Sequence, residues 1–275
     1  MNNFLQLHLN ALSKKFSNPS LELRVLLNKS SINNKDIIFS NFDIKNINLK
    51  KFSKALSRRL KREPISKIYN SKNFWKYNFY VNKNVLDPRP ETELILEKVL
   101  EYFPNKKDNL KILDLCTGSG CLAICLAKEY FNSEITAIDI SPKALNVAKK
   151  NAILANCKNQ IKFIKSDLVN KIEKYDIVVS NPPYLSKQEY KKTSPEILEY
   201  EPKIALVASR EGYEFYWKIS SFLKNILNDD SMAFIEIGST QVKKARDIFA
   251  SQHINCLKVE KDIQNIDRLL ILNKS

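Results

Sequence analysis

The stretch Asn181, Pro182, Pro183 and Tyr184 has the residue types and the spacing to bind an amino group. It follows residues 175–180, an apolar run typical of a buried parallel strand. Open α/β sheets bind ligands at the carboxyl ends of such strands. Because proline fixes φ and biases the preceding residue toward extended backbone, we expect the Asn181 side chain and the Pro182 carbonyl to form a rigid acceptor rim. Such a rim can hold both hydrogens of an NH₂ group; an ordinary strand-to-loop turn is the alternative.

A second stretch with binding chemistry contains Cys116, Thr117, Gly118, Ser119 and Gly120, between a predicted strand and a predicted helix. The chain has only four glycines, and two of them lie here. Glycine permits positive φ and close contact between backbone and ligand. The stretch lacks the third glycine of the dinucleotide fingerprint and the Gly-Lys-Ser/Thr of nucleotide triphosphatases. By elimination, it fits a nucleoside cofactor without a pyrophosphate.

Two further strand ends carry polar residues in the order that a nucleoside site needs. Asp139 ends the next predicted strand, where a carboxylate in a doubly wound fold accepts hydrogen bonds from the ribose hydroxyls. Ser166, Asp167 and Leu168 end the third strand, where an adenine would lie. The alternative for Asp139 is a purely structural position at the start of the following helix. Together with Asn181, these strand ends predict one binding edge.

The elements that position these residues follow from the hydrophobic periodicity. From residue 87 onward, strands and helices alternate, which predicts an α/β fold built from βαβ units with a parallel sheet. The predicted strands are residues 111–116, 134–139, 160–165, 175–180, 231–237, 254–260 and 268–272. The predicted helices of this region are residues 91–102, 121–129, 142–151, 213–227 and 241–251.

The first third of the chain has a different pattern. Residues 1–64 show helical periodicity, and strand formers with a turn at Lys76, Tyr77 and Asn78 predict a β-hairpin after them. We therefore expect an N-terminal helical domain for substrate recognition (1–70), a hairpin linker (71–86) and a cofactor-binding domain (87–275).

The net charge of +15 is unevenly distributed. Residues 1–85 carry 17 Lys and Arg against 4 Asp and Glu, whereas residues 86–275 carry 28 against 26. This asymmetry predicts that the N-terminal domain faces an anionic surface, such as an acidic protein, RNA or the ribosome. A basic helical face in contact with solvent alone is the alternative.

Several classes of protein are disfavoured by composition. The five cysteines include no Cys-x-x-Cys pair and the two histidines lie far apart in sequence, so we expect no disulfide framework and no metal. No apolar run approaches the ~18 residues of a membrane helix, and the N-terminus does not resemble a secretory signal. We therefore expect a cytoplasmic protein without a membrane partner, with reduced cysteines, and a monomer.

These motifs resemble the class I S-adenosylmethionine-dependent methyltransferases that methylate planar nitrogens, and more narrowly the peptide chain release factor glutamine methyltransferases. The resemblance covers nearly the whole chain. The narrower resemblance rests on four segments: Arg62-Glu63-Pro64-Ile65, Asp87-Pro88-Arg89-Pro90-Glu91-Thr92-Glu93, Glu201-Pro202 with Ala205-Leu206, and Glu236-Ile237-Gly238.

The resemblance implies a Rossmann-like α/β fold with a mostly parallel sheet of seven strands, the last one antiparallel. It also implies that this domain binds S-adenosylmethionine and releases S-adenosylhomocysteine. It implies that the loop from Cys116 to Gly120 holds the methionine part and ribose, that Asp139 holds the ribose and that Leu168 flanks the adenine. It also implies that Asn181 and the Pro182 carbonyl hold a substrate glutamine; we expect Pro183 and Tyr184 to complete the pocket, with Tyr184 packed on the flat amide. Two residues depart from the pattern: Cys116 replaces the usual glycine, and Leu168 replaces an aromatic of some members.

The function implied is methyl transfer to the side-chain nitrogen (N5) of the glutamine in the Gly-Gly-Gln motif of class I release factors, in translation termination. A nucleic-acid N-methyltransferase acting on adenine N6 or guanine N2 of DNA or ribosomal RNA is the alternative that the basic N-terminal region favours. The lack of a separate target-recognition domain disfavours it. A third hypothesis, a catalytically silent binding protein, is disfavoured by the intact motifs.

Overall fold

The computed structural model describes residues 3–33, 36–167 and 173–274. The chain divides into two compact units. The first comprises Met1–Tyr69 together with Pro195–Tyr200, and the second comprises Asn70–Ser194 together with Glu201–Ser275.

Eleven α-helices and nine β-strands lie within the described ranges. The helices are α1 (Asn3–Ser13), α2 (Pro19–Lys29), α3 (Leu49–Leu60), α4 (Ile65–Tyr69), α5 (Glu93–Tyr102), α6 (Cys121–Glu129), α7 (Pro142–Leu154), α8 (Lys187–Lys191), α9 (Pro195–Tyr200), α10 (Glu214–Ile226) and α11 (Val242–Ala250). The strands are β1 (Lys72–Phe74), β2 (Tyr77–Phe79), β3 (Lys111–Leu115), β4 (Glu134–Asp139), β5 (Ile161–Lys165), β6 (Tyr175–Ser180), β7 (Leu227–Glu236), β8 (Ile254–Lys261) and β9 (Asp267–Lys274). No helix among the described residues is both long and apolar enough to cross a bilayer.

The first unit is a helical bundle with its own apolar core, to which α1, α2 and α3 contribute buried leucines and Phe52. Asn18 and Asn48 cap α2 and α3 by accepting hydrogen bonds from backbone N–H groups of the first turns. One buried cation also joins the helices, because Arg59 donates to both carboxylate oxygens of Glu22 at 2.7 and 2.8 Å. The pair is partly buried, with side-chain exposures of 9% for Arg59 and 19% for Glu22.

The second unit is built on a seven-stranded sheet in the order β5-β4-β3-β6-β7-β9-β8. The pairs between β5 and β7 are all parallel, and β9 is antiparallel to both of its neighbours. The predicted α/β fold, with a mostly parallel sheet and an antiparallel last strand, is thus confirmed. In this order the carboxyl ends of β3, β4, β5 and β6 meet at one edge of the sheet.

Two apolar cores cover the two faces of the sheet and fix this edge in place. Successive strand residues alternate between them: Ile177 and Val179 pack in one core with α5 and α6, while Val178 packs in the other with α10 and α11. All three side chains are fully buried. Burial of one such side chain stabilises the fold by about 1.5–3 kcal/mol, so a register slip would be strongly unfavourable.

The hairpin of β1 and β2 turns one residue earlier than predicted. Phe74 pairs with Tyr77, so the turn is formed by Trp75 and Lys76. This two-residue turn places Phe74 and Phe79 on the same buried face, where their rings lie 6.1 Å apart in an edge-to-face contact. The burial of both rings, which local turn preferences do not report, decided the register.

Candidate active site

The carboxyl edge of the parallel strands borders a cavity of about 290 Å³. Its volume lies close to the lower limit of about 300 Å³ that is usual for small-molecule pockets. Seven of the residues predicted for the site line this cavity, namely Cys116, Thr117, Gly118, Ser119, Asp139, Asn181 and Pro183. Gly120, Pro182 and Tyr184 are not among its lining residues. Leu168, the predicted adenine neighbour, lies outside the described residues.

The loop between β3 and α6 contains three left-handed backbone positions. Cys116, Gly118 and Gly120 have φ values of +60°, +55° and +81°. At Cys116 this conformation strains a residue that carries a Cβ. Gly120 is not among the cavity-lining residues; an added Cβ there would lie 3.0 Å from the Cβ of Ala148, so this glycine lets α6 and α7 approach each other.

Asp114, at the penultimate position of β3, is a buried carboxyl group that also lines the cavity. It is only 1% exposed. Its Oδ2 accepts hydrogen bonds from the Thr117 hydroxyl at 2.6 Å and from the Ala123 N–H at 3.2 Å. Its Oδ1 is buried without a hydrogen-bond partner among the residues that the structure describes. Burial raises the pKa of Asp114 to about 7, so its ionised form gains from any cation placed in the cavity.

Asp139, the last residue of β4, holds the loop and also lines the cavity. Its Oδ2 accepts from the Gly118 N–H at 2.9 Å, and its Oδ1 accepts from the Ser141 N–H at 2.8 Å. Asp139 therefore has the structural role that was the alternative to ribose binding, because it accepts hydrogen bonds from two backbone N–H groups of the protein. Each carboxylate oxygen can accept more than one hydrogen bond, so both still have capacity for a ligand hydroxyl. Burial raises the pKa of Asp139, while the two N–H groups oppose the shift.

A charged cluster from a distant helix lies against the same cavity beside Asp167. The Lys218 Nζ lies 3.2 Å from Asp167 and 3.0 Å from Glu214. Phe215, which follows Glu214 in the sequence, lines the cavity as well. These α10 residues come 47 to 51 positions after Asp167 in the sequence, and nothing in their local pattern set them apart from other residues of an amphipathic helix.

A chain of side-chain hydrogen bonds that the sequence did not reveal begins at Asn181 in the wall of the cavity. Asn181 donates from Nδ2 to the Thr92 hydroxyl at 2.8 Å, and Thr92 donates to Glu236 Oε2 at 2.7 Å. Thr92 and Glu236 are each 2% exposed. Burial raises the pKa of Glu236 to about 7. We call Asn181, Thr92 and Glu236 the amide relay.

Tyr184 lies on the far side of this relay. Its hydroxyl group lies 3.4 Å from Glu236 Oε1, and its backbone carbonyl accepts from the Gln241 side chain at 3.0 Å. The ring packs against the core that contains Val178. The expected packing of Tyr184 on a substrate amide stays a prediction, because in this structure the hydroxyl contacts Glu236.

Comparison with known proteins agrees with this geometry. Residues 90–211 match the methyltransferase small domain family. A release factor glutamine methyltransferase from Clostridium acetobutylicum is 36% identical over 234 residues, which cover 84% of this chain and 82% of that protein. The chain belongs to the release factor glutamine methyltransferase family. The resemblance noted in the sequence is thus confirmed, and the protein is an S-adenosylmethionine-dependent methyltransferase.

Two other similarities are to proteins of different length. A bifunctional methyltransferase from Rickettsia typhi is 36% identical over 275 residues, covering 92% of this chain but only 53% of that protein. The crystal structure of a ribosomal protein L11 methylase from Lactobacillus delbrueckii subsp. bulgaricus matches with a TM-score of 0.53 and 18% identity. That match covers 75% of this chain and 100% of the other, and it supports the fold alone.

Family membership implies S-adenosylmethionine as the methyl donor, and the residues present fit this ligand. The donor carries positive charge on its sulfonium and its ammonium groups. The unpartnered Oδ1 of Asp114 and the carboxylate of Asp139 supply negative charge to the cavity. Gly118 leaves the loop open, since an added Cβ would meet only the Cys116 carbonyl oxygen, at 3.9 Å. Within the described ranges, no cluster of His, Cys, Asp or Glu could hold a metal ion.

Proposed function

We propose that this protein transfers a methyl group from S-adenosylmethionine to N5 of the glutamine in the Gly-Gly-Gln motif of class I release factors. The observation that carries the proposal is that Asn181 and the Cys116–Ser119 loop line one cavity at one sheet edge. An amide-binding residue and a donor-binding loop thereby share a space. The similarity to curated release factor glutamine methyltransferases over most of the chain supports the same activity.

The donor side of the proposal assigns six residues that line the cavity. The loop residues Cys116 to Ser119 hold the methionine part, Asp139 accepts hydrogen bonds from the ribose hydroxyls, and Asp114 faces the cationic end. Bound there, the donor supplies an electrophilic methyl group on a sulfonium. Leu168 remains the proposed neighbour of the adenine.

The acceptor side relies on positioning, because an amide nitrogen is a poor nucleophile whose lone pair is delocalised into the carbonyl. Among the described residues that line the cavity, none has a side chain basic enough to deprotonate it. We assign one N–H of the substrate amide to Asn181 Oδ1 and the other to the Pro182 carbonyl, which fixes the nitrogen in place. Orientation of this kind can supply about 7 kcal/mol or more. The proton leaves for water only after methyl transfer has made the nitrogen acidic.

The first unit is proposed to bind the acceptor protein through charge. The exposed face of α3 and the residue after it carry Lys50, Lys51, Lys54 and Lys61. Positive potential of this kind speeds the encounter with an anionic partner. We propose that the protein works as a cytoplasmic monomer and docks the release factor, rather than nucleic acid, on this face.

One experiment tests the activity directly. The protein is incubated with radiolabelled S-adenosylmethionine and either a class I release factor, the same factor with the Gly-Gly-Gln glutamine replaced by alanine, DNA or ribosomal RNA. We expect label only on the unmodified release factor, with the added mass located on that glutamine. Label on nucleic acid would support the alternative N-methyltransferase, and no label on any acceptor would support the silent binding protein.

A second experiment tests the docking face. Lys50, Lys51 and Lys54 are replaced together by glutamate, and methylation is measured on a full-length release factor and on a short peptide that contains Gly-Gly-Gln. We expect a raised KM for the full-length factor and an unchanged KM for the peptide, since the peptide lacks the remaining surface of the factor that α3 is proposed to bind. Equal KM values for the full-length factor before and after the substitution would contradict docking through α3.

A further inference from the structure

The amide relay has a fixed direction along its hydrogen bonds. An ionised carboxylate can only accept, so Glu236 Oε2 takes the single proton of the Thr92 hydroxyl, at 2.7 Å. The Thr92 oxygen is then left with lone pairs only, and it accepts from Asn181 Nδ2 at 2.8 Å. The NH₂ end of the Asn181 amide is therefore turned toward Thr92, and the carbonyl end is turned away from it.

The free end of Asn181 is an acceptor as a result. Among the described residues, none donates a hydrogen bond to Asn181 Oδ1, and Asn181 is half-buried at the wall of the cavity. An isolated asparagine could turn its amide by half a rotation at little cost, because its oxygen and nitrogen ends are almost equal in shape. At this position, a half rotation would place two acceptor oxygens, those of Asn181 and Thr92, against each other.

We propose that Thr92 and Glu236 are positioning residues that lock the Asn181 amide with its oxygen toward the substrate, and that this lock selects an NH₂-bearing acceptor over a carboxylate. The inference rests on the proposed function, since it concerns the same glutamine. Asn181 Oδ1 attracts the N–H of a glutamine side chain and repels the oxygens of a glutamate. In the opposite amide orientation, Nδ2 would donate to a carboxylate and the preference would be lost.

The surroundings of Glu236 suit this task. The carboxylate lies at the end of β7 and receives the Tyr184 hydroxyl on its second oxygen at 3.4 Å, so both oxygens have donors. Arg268 of β9 favours its ionised form, whereas Glu91 opposes it. Assays at about pH 8, above the pKa of about 7 that burial gives Glu236, keep the carboxylate in its accepting form.

The decisive comparison is between Thr92→Val and Thr92→Ser. Valine keeps the shape of threonine but has no hydroxyl, whereas serine keeps the hydroxyl and loses only a methyl group. We expect kcat on the release factor to fall by about 30- to 100-fold in Thr92→Val and by less than about threefold in Thr92→Ser, since orientation errors cost about 100-fold. Donor affinity, measured by calorimetry, is expected to stay within about threefold in both.

Acceptor selectivity gives a readout that loss of packing would not change. A peptide with glutamate in place of the Gly-Gly-Gln glutamine is tested as an inhibitor. Its inhibition constant is divided by the KM of the glutamine peptide to give a selectivity ratio. We expect this ratio to fall at least about tenfold in Thr92→Val, which corresponds to a change of about 1.4 kcal/mol in relative affinity. Thr92→Ser should keep the ratio of the unsubstituted enzyme.

Matched controls separate positioning from stability. Thr136→Val removes a buried hydroxyl from β4 away from the cavity, and Glu129→Gln neutralises a buried carboxylate in α6 that pairs with Lys76 and Lys106. Both controls should keep the selectivity ratio whatever they do to the melting temperature. Glu236→Gln is expected to lower the ratio as Thr92→Val does, because a glutamine at position 236 can also donate to Thr92.

Two results would overturn the relay. One is an unchanged selectivity ratio in both Thr92→Val and Glu236→Gln; the other is equal loss of kcat in Thr92→Val and Thr92→Ser. A failure of the proposed function is distinguishable from these results. If the unsubstituted protein methylates nucleic acid rather than the release factor, the comparison of Thr92→Val with Thr92→Ser on that acceptor's exocyclic amine still tests the lock.

Discussion

Asp114 and Glu236 are two buried carboxyl groups near the ends of two strands, and they differ in how the protein satisfies them. Burial raises the pKa of each to about 7. Asp114 leaves one oxygen without a partner among the described residues and lines the cavity. Glu236 has a donor on each oxygen, from Thr92 and from Tyr184, and it does not line the cavity.

A ligand can supply the missing partner of the Asp114 carboxylate, whereas the protein itself supplies hydrogen-bond donors to both oxygens of Glu236. Both carboxyl groups have a higher pKa in the folded protein than in the unfolded chain. The free energy of unfolding therefore falls as the pH rises through about 7 and either group becomes ionised. At Asp114 a bound cation can offset that cost, which links it to donor binding. At Glu236 the hydrogen bonds from Thr92 and Tyr184 offset part of the same cost, and the Thr92 bond is the one proposed to orient Asn181.

The largest expected effect is at the residue that the relay orients. Asn181→Ala should lower kcat by about 10³-fold, since a preorganised hydrogen-bond partner in an active site contributes about 10²- to 10³-fold and orientation is lost as well. Donor affinity by calorimetry should stay within about tenfold. Asn225→Ala, which removes an exposed amide of α10, is the control. A near-normal kcat in Asn181→Ala would rule out the amide-holding assignment.

The second effect belongs to the donor side. Asp139→Ala should weaken donor binding by about 100-fold, because a hydrogen bond to a charged group contributes about 1.5–3 kcal/mol and the Gly118 N–H also loses its acceptor. At saturating donor, kcat should change by less than about tenfold. Calorimetry that finds unchanged affinity would remove Asp139 from the site.

A pH series sharpens the contrast between the two carboxylates. A cationic donor prefers ionised Asp114, so donor affinity should rise by up to about tenfold as the pH rises from about 5.5 to 7.5. This range stays at or below the pKa of about 7.7–8.0 expected for the donor's own α-amino group. Asp114→Asn should abolish the slope, whereas Glu236→Gln should keep it. The opposite pattern, measured by calorimetry, would reverse the assignment of the two groups.

The smallest effect concerns strain in the donor loop. Cys116→Gly should raise the free energy of unfolding by about 0.5 to 1 kcal/mol, because glycine adopts φ of +60° without a Cβ clash, although it also gains entropy in the unfolded chain. His253→Gly, at an exposed residue with φ of +58°, is the matched control outside the cavity. A loss of stability in urea denaturation for Cys116→Gly alone would show that the thiol contributes packing that outweighs the strain.

The local sequence determined much of the fold and one half of the site. Alternation of apolar residues fixed which face of each strand is buried, and the glycine loop, Asp139 and Asn181 stand out because they follow strands that must share an edge. The turn of the hairpin was placed one residue too late, because Trp75 adopts a positive φ that its residue type does not favour, while Phe74 and Phe79 are both buried.

Only the tertiary structure brought Thr92, Asn181 and Glu236 together. Asn181 lies 89 positions after Thr92 along the chain, and Glu236 lies 144 positions after it. A hydrogen bond between such distant residues depends on the order of strands in the sheet. Lys218 reached Asp167 for the same reason, across 51 positions. Residue types and their spacing show which groups can bind a ligand, because these features are local and extend over only a few residues. The direction in which an amide points depends on hydrogen-bond partners distant in sequence, and only the packing of the folded chain brings those partners together.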